Sequence, residues 1–256
     1  MEQSEVVSII IQTINTIFSN LFSSIDNSIY DCLDSYVFIN SDILSNDIFI
    51  NLLGSNGKSG FLYLADAMLV GIALFYVVKF YYSNITDSNI ERPSQFLFKL
   101  LIFAFFVNFS YFFVEQFLNI FNLITTSIQS IGKDVTGFSI NFSELVIVVN
   151  NVLSVSLDDF NVFSFDGVIK SFVTFGLVSL LLLYSVRFIL VQVLILFTPF
   201  AILSVISSST GWIFKAWFHS FFALMLIQIF VPLVLIIVFV TKDSKLLFVG
   251  RHLCFI

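Results

Sequence analysis

The sequence predicts an all-α polytopic membrane protein with about five transmembrane helices, an amphipathic N-terminal helix and a long external central loop. The composition is 58 % hydrophobic and only 11 % charged, whereas soluble proteins carry roughly 25 % charged residues. Residues 171–206 contain a single charge, Arg187. A stretch of this length and apolarity is expected to lie in lipid rather than in a soluble core.

Residues 1–60 form an acidic N-terminal segment, in which Lys58 is the single base. Over residues 5–22 apolar side chains recur at helical spacing, with Ser, Gln and Asn on the opposite side. This pattern predicts an amphipathic helix that lies on a membrane or on a partner, and a spanning helix is the alternative. Residues 54–59 are interpreted as a turn, because their two glycines are too close together for a phosphate-binding loop.

Five apolar stretches are predicted to cross the membrane, and Arg187 separates the third from the fourth. They cover about residues 61–82, 96–123, 167–186, 188–206 and 212–240. The chain is accordingly divided into an N-terminal segment (1–60), transmembrane helices 1 and 2 (61–123), an external loop (124–166), transmembrane helices 3 to 5 (167–241) and a short cytoplasmic tail (242–256).

Two capping signals refine the central part of the chain. Glu144, just after Ser143, favours the N-terminus of one short helix within the external loop. Ser164 and Asp166 are predicted to cap the third span.

The lysines and arginines near the span ends predict the orientation. One basic region holds Lys79, Arg92 and Lys99, and the tail holds three more cations. With five spans both regions are cytoplasmic, so the N-terminus and the segment 124–166 lie outside. A four-span alternative, with residues 171–206 as one helix, would place the basic tail outside.

Few residues in the predicted spans carry groups that could do chemistry. Asp66 and Glu115 are candidates for a functional carboxylate pair, and the alternative is a pair solvated at the outer interface. Asn108, near the middle of the second span, is expected to bond across to another helix. The sequence therefore predicts no catalytic, cofactor-binding or metal site.

Aromatic residues and prolines mark the last two spans. The cluster at the start of the fifth span, which includes Trp212 and Trp217, is expected to anchor the chain at the membrane interface. Pro199 interrupts the fourth span, where the hydroxyl of Thr198 is a candidate to satisfy a freed backbone group.

Several short motifs follow one another in an order that resembles a known family. They are Asp166-Gly167, Arg187, Pro199-Phe200-Ala201, and a tryptophan pair, Trp212 and Trp217, with Lys215 between them. In this order they resemble the TrbL/VirB polytopic inner-membrane subunit of type IV secretion and conjugation systems. The resemblance covers about residues 60–241 and is strongest over 160–240.

The resemblance implies a non-enzymatic role without a cofactor. Such subunits lie in the cytoplasmic membrane, form oligomers with other secretion subunits and ATPases, and help to pass DNA or protein across it. Their N-terminus and central loop are external and their C-terminus is cytoplasmic. Similar chains continue well past the last span, whereas this one stops at Ile256, as expected of a truncated or frameshifted tail.

A small-solute membrane transporter is the alternative function. Transporters tend to have internal repeats, helices broken in mid-membrane and a charged site at the midplane. The sequence shows no such repeat, and its few intramembrane charges lie near the interfaces. The prediction therefore favours a channel or scaffold subunit.

Overall fold

A computed structural model describes residues 3–54, 60–86, 92–152, 164–207 and 209–253. Within these residues the protein is all-helical and contains no β-strand, so the predicted all-α class is confirmed. The helices are α1 (Gln3–Val37), α2 (Asp47–Leu53), α3 (Phe61–Thr86), α4 (Pro93–Asn108), α5 (Ser110–Thr136), α6 (Phe142–Val152), α7 (Phe165–Leu203) and α8 (Gly211–Leu253), with a 3₁₀-helix (Ser41–Ser45) between α1 and α2.

Three helices are long and apolar enough to cross a membrane. They contain the candidate spans Phe61–Ser83, Gly167–Leu203 and Gly211–Thr241. Helices α4 and α5 form a fourth candidate if the bent pair is taken as one span. These apolar helices indicate a multi-pass membrane protein with three or four candidate spans.

Helix α7 corrects the prediction of a turn at Arg187. The predicted third and fourth spans form one continuous helix of 39 residues, which is about 58 Å long at about 1.5 Å per residue. A charge ends an apolar helix only where it must reach water. Arg187 is instead 4 % exposed and donates a hydrogen bond to a backbone carbonyl, so the helix continues through it.

The second predicted span also differs from the prediction, because here the helix is broken. Helix α4 ends at Asn108, α5 begins at Ser110, and the two helices are bent by 53°. The Asn108 amide donates to the Ala104 carbonyl at 2.9 Å. A side chain that bonds to a carbonyl of its own helix competes with the main-chain ladder, which is a recognised cause of a sharp kink.

Helix α5 also extends into the segment predicted as an external loop. Residues 124–136 are helical, and Gly132 in this part of α5 lies close to the side chains of Ile140 and Ile236. The short helix predicted after Ser143 is confirmed as α6, which begins slightly earlier, at Phe142, with Glu144 in its first turn.

The predicted amphipathic N-terminal helix is present and longer than expected. Residues 5–22 lie within α1, which continues to Val37 because Leu33 and Val37 are fully buried. The turn predicted at residues 54–59 begins at Gly54, whose φ of 85° ends α2 in the left-handed region that favours glycine. Residues 55–59 lie outside the described residues.

The described residues form two compact units. Unit 1 comprises Met1–Phe38, Ile124–Phe188 and Gln228–Ile256, and unit 2 comprises Ile39–Leu123 and Ile189–Ile227. The core of unit 1 is built from the end of α1, from α6 and from α7 and α8, with Leu33, Phe142, Val146, Leu177, Leu235 and Phe239 among its buried residues. The core of unit 2 packs α3 and α4 around Ala65, Leu69, Phe96, Val107, Leu203 and Ile206.

Candidate functional site

Arg187 attaches the end of α1 to α7 within unit 1. Its Nη1 donates to the Val37 carbonyl oxygen at 3.0 Å. Beside this bond the rings of Tyr36 and Phe188 lie 5.1 Å apart, centroid to centroid. Because the last carbonyls of a helix have no partner within that helix, a buried cation is well placed to satisfy one of them. Arg187 therefore joins two helices rather than marking a corner at the membrane surface.

The end of α1 also holds the start of α6. The Asp34 carboxylate accepts from the backbone N–H of Phe142 at 2.8 Å and of Ser143 at 3.3 Å, and from the Ser143 hydroxyl at 2.7 Å. The Glu144 N–H bonds to the side chain of Asn141 at 2.9 Å. These partners satisfy the N–H groups that a helix N-terminus leaves unbonded, and the negative charge suits the helix dipole.

Replacing Arg187 with leucine should loosen the end of α1. A hydrogen bond to a charged group contributes about 1.5–3 kcal/mol, so we expect amide exchange near Val37 to accelerate at least about ten-fold. Hydrogen exchange in detergent measures this at the Phe38 N–H, which bonds to the Asp34 carbonyl at 2.9 Å. Arg92→Leu is the control, because Arg92 is exposed and makes no side-chain cap. Equal exchange in both variants would contradict the attachment.

In unit 2, Asp66 and Asn108 meet across α3 and α4. Asn108 Nδ2 lies 3.4 Å from Asp66 Oδ1, as expected of an amide that bonds to another helix. Glu115 is exposed on α5, and no hydrogen bond joins it to Asp66 in the part of the chain that the structure describes. Among the described residues, Asp66 and Glu115 therefore do not form the candidate carboxylate pair. Asp66 lies beside Asn108, and Glu115 is exposed.

An apolar groove lies at the break between α4 and α5, and we call it the aromatic groove. Its volume is about 370 Å³, within the range of small-molecule sites. The walls come from α4, the start of α5, the end of α7 and the start of α8. Most of the lining side chains are aromatic: Phe103, Phe106, Phe113, Phe117, Phe214, Trp217 and Phe218.

Trp217 connects α8 to α7 beside this groove, and Thr198 of α7 bonds to the same carbonyl oxygen. The indole Nε1 of Trp217 donates to the Leu194 carbonyl at 2.8 Å, and the Thr198 hydroxyl donates to the same oxygen at 3.2 Å. Pro199 lies inside α7 and leaves the carbonyl of Ile195 without its usual donor. The Thr198 hydroxyl thus bonds to the carbonyl next to the one that the proline frees.

The aromatic cluster at the start of α8 is divided between surface and interior. Trp212 is 67 % exposed, which suits an interfacial anchor. Trp217 instead stacks on the buried Phe221 at 5.6 Å. Lys215 is exposed beside the groove-lining Phe214. Trp217 is therefore a packing residue, and the anchoring role stays a prediction for Trp212.

The remaining predicted residue, Asp166, lies in the first turn of α7, and its side chain is outside the described residues. The cap of α7 comes from Ser164, whose hydroxyl accepts from the Gly167 N–H at 3.1 Å, as predicted. Among the described residues no three His, Cys, Asp or Glu side chains converge to hold a metal ion.

Two structurally important residues had no signal in the sequence. Asp34 is one of seven acids in the first 60 residues, and its partners lie 108 and 109 positions further along the chain. Ser110 is fully buried at the wall of the aromatic groove, where its hydroxyl has no hydrogen-bond partner within the described part of the chain.

No family model matches the sequence, and neither the curated proteins nor the solved structures contain a match to it.

Proposed function

We propose that this protein is an integral-membrane channel or scaffold subunit of a conjugative type IV secretion apparatus. It assembles in several copies with other secretion subunits and ATPases and helps to pass DNA or protein across the cytoplasmic membrane. The observation that carries the proposal is the order of Asp166-Gly167, Arg187, Pro199-Phe200-Ala201 and Trp212-x4-Trp217 in the sequence.

The positions of these residues support the proposal. All of them lie on α7 and α8, two of the three long apolar helices. Arg187 and Trp217 each make a buried or partly buried hydrogen bond to a backbone carbonyl. Residues that join helices in this way suit a scaffold, whereas the site of a transporter would need charged groups that converge at mid-membrane.

Deleting the gene in a donor cell tests the function directly. We expect conjugative DNA transfer to fall to the detection limit and the wild-type gene to restore it. The Arg187→Leu gene should restore transfer poorly, whereas the Arg92→Leu gene should restore it fully. Unchanged transfer in a donor without a second copy of the gene would contradict the proposal, and solute uptake by the purified protein in vesicles would favour the transporter.

We further propose that the N-terminus is external and the C-terminus cytoplasmic, which requires an odd number of crossings. The three cations of the tail, Lys242, Lys245 and Arg251, favour the cytoplasmic side by the positive-inside rule. Asp34 bonds to Phe142 and Ser143, so the end of α1 and the start of α6 lie together on one side.

Cysteine labelling with a membrane-impermeant maleimide measures the orientation. With both native cysteines changed to serine, a cysteine at the exposed position of Val6 should be labelled in intact cells. With only Cys32 changed to serine, Cys254 near the C-terminus should react only after permeabilisation. Labelling at position 6 only in permeabilised cells, or of Cys254 in intact cells, would contradict the orientation.

A further inference from the structure

The aromatic groove of unit 2 is a poor place for water. Only two of its lining residues, Ser110 and Thr198, carry a polar side chain that is not an indole. The Thr198 hydroxyl and the Trp217 N–H are already bonded to the Leu194 carbonyl. A bound water requires two to four polar partners, so the groove calls for an apolar occupant.

The groove opens onto the outer surface of the helices. Several of its lining residues are partly exposed: Phe106 is 40 %, Phe113 37 %, Val205 38 % and Phe218 40 % exposed. Its walls belong to α7, α8 and the bent α4–α5 pair, all of which are candidate spans. In a bilayer the medium that reaches such an opening is hydrocarbon.

An exposed cation lies on α8 between two residues that line the groove. Lys215 is exposed on the first turns of α8, directly after Phe214 and three residues before Phe218, both of which line the groove. Trp212, 67 % exposed on the same turns, is a residue type typical of the headgroup level. An apolar slot beside a cation at this level complements a molecule with an acyl chain and a phosphate.

We propose that the aromatic groove binds one acyl chain of a phospholipid whose headgroup phosphate pairs with Lys215. The acyl chain fills the apolar groove, and the Lys215 ammonium group neutralises the charge of the phosphate. This site would hold lipid whether or not the protein is part of a secretion apparatus, so its test is independent of DNA transfer.

Photolabelling of the full-length protein in lipid vesicles tests the site. The probe is a phosphatidylglycerol with a diazirine on one acyl chain, compared with a diacylglycerol that carries the same label and no phosphate. We expect the phosphatidylglycerol to label peptides that line the groove, and Val205→Trp to suppress this labelling by filling the opening. Val193→Trp is the matched control, because Val193 is 45 % exposed on α7, the helix that ends just before Val205, and does not line the groove.

A separate labelling experiment tests the role of Lys215. Lys215→Gln should reduce labelling by the phosphatidylglycerol about five-fold and leave labelling by the diacylglycerol unchanged. Lys79→Gln, which removes another exposed cation, should change neither. The proposal is overturned if Val205→Trp and Val193→Trp have the same effect, or if both lipids label the groove equally in the wild type.

A second copy of the chain is the competing occupant. A Val205→Cys variant without the two native cysteines should remain monomeric under oxidising conditions if lipid fills the groove. Efficient disulfide-linked dimers would show that another copy occupies it, and the lipid proposal would then fail.

Discussion

Replacing Asp34 with alanine should destabilise unit 1 by about 3 kcal/mol, because two partly buried N–H groups and one hydroxyl would lose a charged acceptor. Helix α6 has only 11 residues, and a helix this short is marginal by itself. Its start therefore depends on the Asp34 carboxylate, which bonds to Phe142 and Ser143. We expect lower resistance to denaturation in detergent and faster amide exchange at both residues.

The control for Asp34 is another acid in the N-terminal segment. Asp47→Ala removes an exposed carboxylate from the first turn of α2 and should cost less than about 1 kcal/mol. A double-mutant cycle with Ser143→Ala should then give a coupling of about 0.5 kcal/mol or more with Asp34. Additive effects of the two substitutions would show that the carboxylate is not the cap of α6.

Substitution of Gly132 with leucine should destabilise the packing of α5 by about 3 kcal/mol. A Cβ atom on Gly132 would lie 2.6 Å from Ile236 Cγ1 on α8 and 2.7 Å from Ile140 Cγ1. Real Cβ atoms do not approach carbon atoms so closely, so both isoleucines would have to move. The free energy of unfolding of the purified protein in detergent measures the cost.

Gly176 provides a control of the opposite sign. It lies within α7, and no atom comes within 4 Å of the position that its Cβ would occupy. Gly176→Ala should therefore stabilise the helix by about 1 kcal/mol through helix propensity alone. If Gly132→Leu were as well tolerated as Gly176→Ala, the close packing of α5 on α8 would be refuted.

The sequence predicted those features of the fold that depend on neighbouring residues. The Ser164 cap of α7 and the acidic first turn of α6 at Glu144 were recognised because such signals act within three or four positions of the helix start. The apolar helices α3 and α8 were recognised because their character is summed over about twenty residues. The interactions of the candidate site were mostly not recognised, because the partners of Asp34, Arg187 and Trp217 lie 23 to 150 positions away.

The two misplaced helix boundaries have the same physical origin. Arg187 was expected to interrupt an apolar helix, yet the distant Val37 carbonyl accepts its hydrogen bond. Asn108 was not expected to interrupt one, yet α4 ends at this residue, where its amide bonds to Ala104 and lies 3.4 Å from Asp66. In each case the sequence showed a polar residue within an apolar stretch and could not show the partner.

The amino-acid sequence alone determined that this chain is helical and that most of its surface requires an apolar environment. Both properties follow from sums over neighbouring residues. Only the tertiary structure decided where α7 continues, where α4 breaks and which side chains line the aromatic groove. Those outcomes depend on single polar side chains whose partners lie far away in the chain. Properties summed over neighbouring residues do not reveal such partners.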